Sequence, residues 1–376
     1  MRPALTASLL LAIAVALVPA ASSGAAVRAR GSVSSLPSGF FGISPQTALT
    51  PRDALYMKAG GIESVRLPLV WSSIQPTAHG GYNWSGVDQA VEVAARAGLS
   101  VLPTVSSTPR WLAPKSTTLP VQTERQREAW AAFLQAAVDR YGPGGTFWVE
   151  HSHEGIDYEP AIGTPTPIRT WQIWNEPNFF YSAYPVSPSR YAKLVKNSSK
   201  AIREIEPSAN VILAGLFGKP TAGGARGMPA ARFLSDLYRV PGLSADFDGI
   251  ALHPYAADTQ VLEELVEAFH QVTVRNHDRV PMYITEMGWG SANDFRHDAF
   301  EQGIRGQVSE LRGAYGYLIA NQRRLDLQQV DWFSWKDVKG ACNFCDSVGF
   351  FHEGAGFRPK PAWRAFVAIT GGRSRP

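Results

Sequence analysis

Two glutamates stand where a reaction could use them. The first follows an apolar run in TWQIWNEP, residues 170–177, where Asn175 and Glu176 sit side by side and Pro177 stops the run. The second is Glu286, in ITEMGW at 284–289. A carboxylate at the end of a buried apolar run has lost water and needs a partner or a task. A pair of them suits cleavage of a glycosidic bond. One, protonated, assists departure of the leaving oxygen; the other, ionised, attacks the anomeric carbon or stabilises its charge. Their surroundings must then push their pKa values apart. Arg66 and Tyr255 are expected to hold Glu286 ionised, while Trp171, Trp174 and Phe179 desolvate Glu176 and raise its pKa. That assigns Glu176 as acid/base and Glu286 as nucleophile, with the two carboxyls about 5–5.5 Å apart.

The elements that must bring these residues together are legible as an alternation. Apolar strand-like runs lie at 40–44, 62–67, 99–105, 170–175, 210–216, 247–253, 281–286 and 330–336. They are short and apolar on both faces, as parallel strands covered by helices are. Helices fall between them. Thr50 with Pro51 and Ser187 with Pro188 read as caps followed by proline in the first turn, and Thr123 with Gln126 as a capping box. Eight strands each followed by a helix predict an α/β fold, a (β/α)8 TIM barrel in one catalytic domain. An open doubly wound sheet would need a Gly-rich phosphate turn after the first strand, and GISPQTALT has none. Residues 142–168 read as one long irregular segment, expected to wrap the base of the barrel.

In such a barrel reactive groups sit at the C-terminal ends of strands. Those ends supply Arg66, Asn175 with Glu176, His253 with Tyr255, Glu286 and Trp335. Trp111, Phe179 and Trp289 lie on loops of the same face, where aromatic planes could stack on sugar rings.

WNEP at 174–177 resembles the strand 4 motif of clan A glycoside hydrolases, retaining (β/α)8 enzymes. The resemblance implies a contact to a sugar 2-hydroxyl for Asn175 and the acid/base role for Glu176. ITEMGW resembles the clan's nucleophile motif, which implies that role for Glu286. HPY at 253–255 resembles its strand 6 His-x-Tyr, Arg66 its strand 2 arginine, and Trp335 its strand 8 platform. FRPKPAWRAF, 357–366, is similar to its closing helix. RLPLVWSSIQP and WNEPN are most similar to family 39, with family 5 next; VLPTVSSTPRW lacks the histidine usual in family 5. The implied activity is retaining hydrolysis of a β-linked (or equivalent) glycosidic bond by double displacement. Transglycosylation at the same residues and a non-catalytic carbohydrate-binding barrel are the alternatives.

The rest of the chain bounds the setting. Residues 1–26 have the basic start, apolar run and small residues of a secretory signal peptide; a membrane anchor is the alternative reading. A linker is expected at 27–38, the glycosidase domain at 39–370 and a tail at 371–376. These features predict a secreted protein with no membrane span after cleavage. Cys342 and Cys345 are the two cysteines. Export favours a disulfide between them, over free thiols or half a metal site. A net charge of +4 without a block of like charges argues against a nucleic-acid partner. No cofactor and no metal are expected, and the expected partner is a glycoside, oligosaccharide or polysaccharide. EHSHE at 150–154 has metal-like spacing but reads as a solvated loop.

Overall fold

Eight parallel strands close into a barrel in the computed structural model, which describes residues 36–152, 162–293, 298–342 and 344–376. They are β1 (Phe41–Ile43), β2 (Ser64–Val70), β3 (Ser100–Ser106), β4 (Thr170–Ile173), β5 (Asn210–Phe217), β6 (Gly249–His253), β7 (Met282–Met287) and β8 (Leu327–Trp332). Each pairs with the next, and β1 closes the ring by pairing with β8, Phe41 opposite Val330 and Ile43 opposite Trp332. One longer helix follows each strand: α1 (Pro51–Ala59), α2 (Ser85–Arg96), α3 (Glu124–Tyr141), α4 (Pro188–Ile205), α5 (Ala230–Tyr238), α6 (Thr259–Arg275), α7 (Gly303–Ala320) and α8 (Pro361–Thr370). The expected (β/α)8 barrel is the fold.

The caps form as the residue types dictate. Thr50 accepts from the Asp53 N–H and Thr123 from the Gln126 N–H, each in a reciprocal capping box, and Ser187 accepts from Arg190 ahead of α4. Strand alternation separates the two layers. Val65, Leu69, Trp171 and Ile173 are fully buried against the helices, each such burial stabilising by about 1.5–3 kcal/mol. Arg66 and Gln172, their neighbours in sequence, point into the barrel and hydrogen-bond to each other there.

Two expectations about elements change. β8 ends at Trp332, four residues before the expected limit, and the Phe333 N–H then donates to the Met287 carbonyl at 2.8 Å. The segment 142–168 is partly helical: Thr146–Glu150 buries Phe147 and Trp148, and Trp148 Nε1 returns to the Tyr141 carbonyl at 2.9 Å. Residues 153–161 of that segment lie outside the described residues, as do the expected signal peptide and most of the linker. The described residues belong to one compact unit, Gly31–Pro376. Among them no helix is long and apolar enough to cross a membrane. Cys342 and Cys345 are joined as a disulfide.

Candidate active site

Arg66 organises the mouth of the barrel from β2. Its Nη1 donates to Glu286 Oε1 at 2.5 Å, its Nη2 to Asn175 Oδ1 at 2.7 Å and its Nε to Gln172 Oε1 at 2.7 Å. A fork of fixed donors thus joins β2, β4 and β7. Tyr255, just past β6, donates its hydroxyl to the other oxygen, Glu286 Oε2, at 2.8 Å. Both oxygens of Glu286 are therefore held by donors. Glu176 meets a different partner: its Oε1 lies 2.8 Å from His253 Nδ1. His253 Nε2 lies 3.0 Å from Thr285 Oγ1, which accepts from Gln172 Nε2 at 3.2 Å. If Thr285 gives its own proton to His253 Nε2, every group is satisfied. The imidazole then donates from Nδ1 to Glu176 Oε1 and leaves Oε2 free for a proton.

An oxygen of Glu176, His253 Nδ1 and an oxygen of Glu286 all lie within 4.8 Å of one another. The glutamate side chains are 14% and 12% exposed. Two carboxylates far apart in sequence thus face one small opening. Burial opposes ionisation of Glu286, but the nearby imidazole of His253, the Arg66 guanidinium and the hydrogen bonds from Tyr255 and Arg66 outweigh it and hold its pKa below the ordinary carboxylate value. Burial, then the Glu286 charge, raise the Tyr255 hydroxyl well above its usual value, so it stays a donor.

Backbone shape aims these groups. Trp174 and Glu176 adopt positive φ, 72° and 41°. For residues with a side chain this costs of order 1–3 kcal/mol each and clusters at functional sites. Gly215 on β5 leaves the space that His253 fills: a Cβ there would come within 1.9 Å of His253 Nε2.

Arg66, Asn175, Glu176, His253, Tyr255 and Glu286 therefore meet as expected. Several aromatics do not. Trp335 is fully buried; its Nε1 donates to Asp53 Oδ1 at 2.7 Å and its ring packs on Phe351 and Trp363. It is core between α1 and α8, because the chain leaves the sheet after Trp332. Trp289 is also buried, tied to the Ala256 carbonyl at 2.8 Å. Trp111 is half-buried; it packs edge-on against Trp71 and donates to the Gln75 carbonyl, which anchors the loop after β3 to the one after β2. Trp171 and Trp174 face the helical layer, Trp174 packing on Trp130, so they are not the desolvating wall expected around Glu176.

Phe179 is half-buried and packs 5.1 Å from Phe217, whose ring is 5.7 Å from Tyr255. Phe217, Phe300, Phe333 and Phe344 surround Tyr255 at 5.3–6.0 Å, and none of the four was foreseen. Phe344 is carried by the disulfide loop. Below that loop, buried Lys360 donates to Asp337 Oδ1 at 2.5 Å, to the Ser347 carbonyl at 2.6 Å and to Ser291 Oγ at 3.0 Å, locking the segments after β7 and β8 together.

Glu176, His253 and Glu286 also offer a donor set of the kind that holds a divalent cation. The neighbours do not fit one. Both Glu286 oxygens already accept hydrogen bonds, and a cation there would face the Arg66 guanidinium. In EHSHE, read from sequence as a solvated loop, Glu150 pairs with Arg140 at 3.1 Å and His151 Nδ1 lies 2.7 Å from the Phe147 carbonyl, while residues 153 and 154 lie outside the described residues.

Comparison with known proteins points the same way. A β-galactosidase family model, glycoside hydrolase family 42 of clan A, matches residues 45–142, which include Arg66 but neither glutamate. No curated protein sequence matches the chain. Among solved structures, a family 39 glycoside hydrolase from Bacteroides cellulosilyticus is 18% identical with a TM-score of 0.63, over 89% of this chain and 64% of that one. A family 39 enzyme from Xanthomonas axonopodis pv. citri is 16% identical with a TM-score of 0.61, over 90% and 68%. A monomeric β-xylosidase from Caulobacter crescentus is 16% identical with a TM-score of 0.57, over 90% and 69%. The chain thus spans just under two thirds of the first of these relatives and somewhat more of the others. It shares their barrel, and its motifs resemble those of clan A, the clan in which such hydrolases are grouped.

Proposed function

We infer that this chain is a secreted retaining glycoside hydrolase. The observation that carries the reading is the approach of the two carboxylates within 4.8 Å, with unlike donors on each. That spacing suits attack by a carboxylate rather than by a water held between the two. Glu286, kept ionised, attacks the anomeric carbon and forms a glycosyl ester. Glu176 delivers a proton from Oε2 to the departing oxygen. It then takes a proton from the water that cleaves the ester, which restores both groups. Asn175, oriented by Arg66 beside Glu176, serves the 2-hydroxyl of the sugar. The similarity to family 39 hydrolases and a β-xylosidase supports a β-configured substrate, with xylosides the first class to try.

The test is nitrophenol release from a panel of aryl glycosides, followed by NMR of the first-formed anomer. Retention of configuration is expected. Replacement of Glu286 by Gly should abolish turnover, and azide should restore it as the glycosyl azide of inverted configuration. Inversion by the wild type, or full activity of Glu286→Gly, would end this reading.

A further inference from the structure

Tyr181 is 70% exposed, yet it stands on a braced loop rather than a loose one. Its ring lies 4.1 Å from Phe180, and the Arg226 guanidinium sits 3.8 Å over Phe180. The backbone around it is clamped to the segment after β5: the Phe180 N–H donates to the Arg226 carbonyl, the Val186 N–H to the Ala225 carbonyl, and Phe179 bridges to Gly227. Phe179 sets its ring edge-on to Tyr181 at 5.0 Å and continues through Phe217 to Tyr255. A continuous series of aromatic rings thus runs from the reacting centre to an exposed, rigidly held tyrosine. A rigidly held, exposed aromatic ring offers a flat face on which a ligand can stack.

The chemistry gives the series a direction. An acid that protonates a leaving oxygen must lie beside the leaving group. Phe179 follows Glu176 by three residues and donates its N–H to the Glu176 carbonyl at 2.9 Å. Phe179 and Tyr181 are thus carried by the segment that carries the acid, whereas Tyr255 at the inner end of the series holds Glu286. We propose that Phe179 and Tyr181 form a binding strip for a saccharide leaving group of two or more units, whose C–H faces stack on the two rings in turn. The natural substrate class is then an oligosaccharide or polysaccharide rather than the glycoside of a small alcohol. The inference rests on the assignment of Glu176 as the acid.

Two measurements test it. On a glycone that the wild type accepts, Tyr181→Ala should lower kcat/KM for oligosaccharides of three or more units at least tenfold further than for the nitrophenyl monoglycoside. Equal losses on both would overturn the strip. The second measurement does not need turnover. Glu286→Gln and Glu286→Gln/Tyr181→Ala are run in native gels containing soluble xylan, mixed-linkage glucan, galactomannan or arabinogalactan. Retardation of the first protein and its loss in the second are expected with at least one polymer. Retardation by none, or retardation that Tyr181→Ala leaves unchanged, overturns the strip. If the wild type cleaves no glycoside while Tyr181→Ala abolishes the retardation, the hydrolase reading fails and the leaving-group assignment with it, and Tyr181 is left as a saccharide contact alone.

Discussion

Removing one hydroxyl should move the acid limb of the pH profile. Tyr255 donates to Glu286 Oε2 at 2.8 Å, and its ring is held by Phe217, Phe300, Phe333 and Phe344. Phenylalanine at 255 keeps that packing and loses only the donor. A hydrogen bond to a charged group is worth about 1.5–3 kcal/mol, which at 1.36 kcal/mol per unit is about one to two units of pKa. Arg66 still donates to Oε1 and offsets part of the loss, so the lower figure applies. The sign follows from the donor's preference: it favours the charged carboxylate, so its loss raises the pKa of Glu286. The acid limb of kcat/KM, which reports the free enzyme's ionised carboxylate, should therefore rise by about one unit in Tyr255→Phe. At the plateau kcat/KM should fall about tenfold for each 1.4 kcal/mol of lost transition-state stabilisation. The assay is aryl glycoside turnover between pH 3 and 9, with thermal unfolding as a check on the fold. An acid limb that stays where it is, in a folded variant, would show that Glu286 does not set it.

Three further outcomes follow from named contacts. Asp331, buried under the site with Oδ2 unpartnered, is pushed by burial from 3.8 up to about 7. The folded state keeps this proton where the unfolded state has released it, so stability should fall by up to about 4 kcal/mol as pH rises from 4 to 7. Asp331→Asn should flatten that slope in urea unfolding at pH 4.5 and 7.5, and an unchanged slope would refute the placement. Trp335→Phe should cost about 1–3 kcal/mol of stability through the lost bond to Asp53, with kcat/KM within twofold. A large kinetic loss at full stability would return Trp335 to the site. Gly215→Ala must displace His253, since its Cβ would lie 1.9 Å from Nε2. A misplacement of that order costs about 100-fold in kcat, and a fully active Gly215→Ala would show that His253 does not position Glu176.

What the sequence made legible has a physical pattern. Strands buried on both faces announce themselves as apolar runs, so the barrel and the strand-end polar residues could be read directly. The misreadings cluster where an apolar run outlasts its strand. In DWFSWK three aromatics fall within four residues, and nothing local says which leaves the sheet. The structure turns the chain after Trp332, sending Phe333 toward Tyr255 and Trp335 back to Asp53. On β4 the alternation itself carries the signal. Gln172 is the one polar residue between apolar neighbours in TWQIW, and period-two alternation puts it inward and the tryptophan at 171 outward. Phe217, Phe300 and Phe344 reach Tyr255 from three separate loops or strand ends, a convergence that only long-range contacts encode.

Gln172 also explains why the two glutamates can be so close without drifting together. A chain of hydrogen bonds runs from Glu286 to Arg66, from Arg66 to Gln172, from Gln172 to Thr285, from Thr285 to His253 and from His253 to Glu176. Thr104 adds a second donor to Gln172 at 2.9 Å. The chain crosses β2, β4, β6 and β7, so each carboxylate is held by a strand other than its own. A fully satisfied buried network of this kind resists rearrangement, because breaking any link strands a polar group away from water. Like charges at this distance would otherwise push apart or share a proton. The network instead gives one carboxylate the cation and the phenol, and gives the other the imidazole. That asymmetry of partners is built into the barrel wall before any sugar arrives.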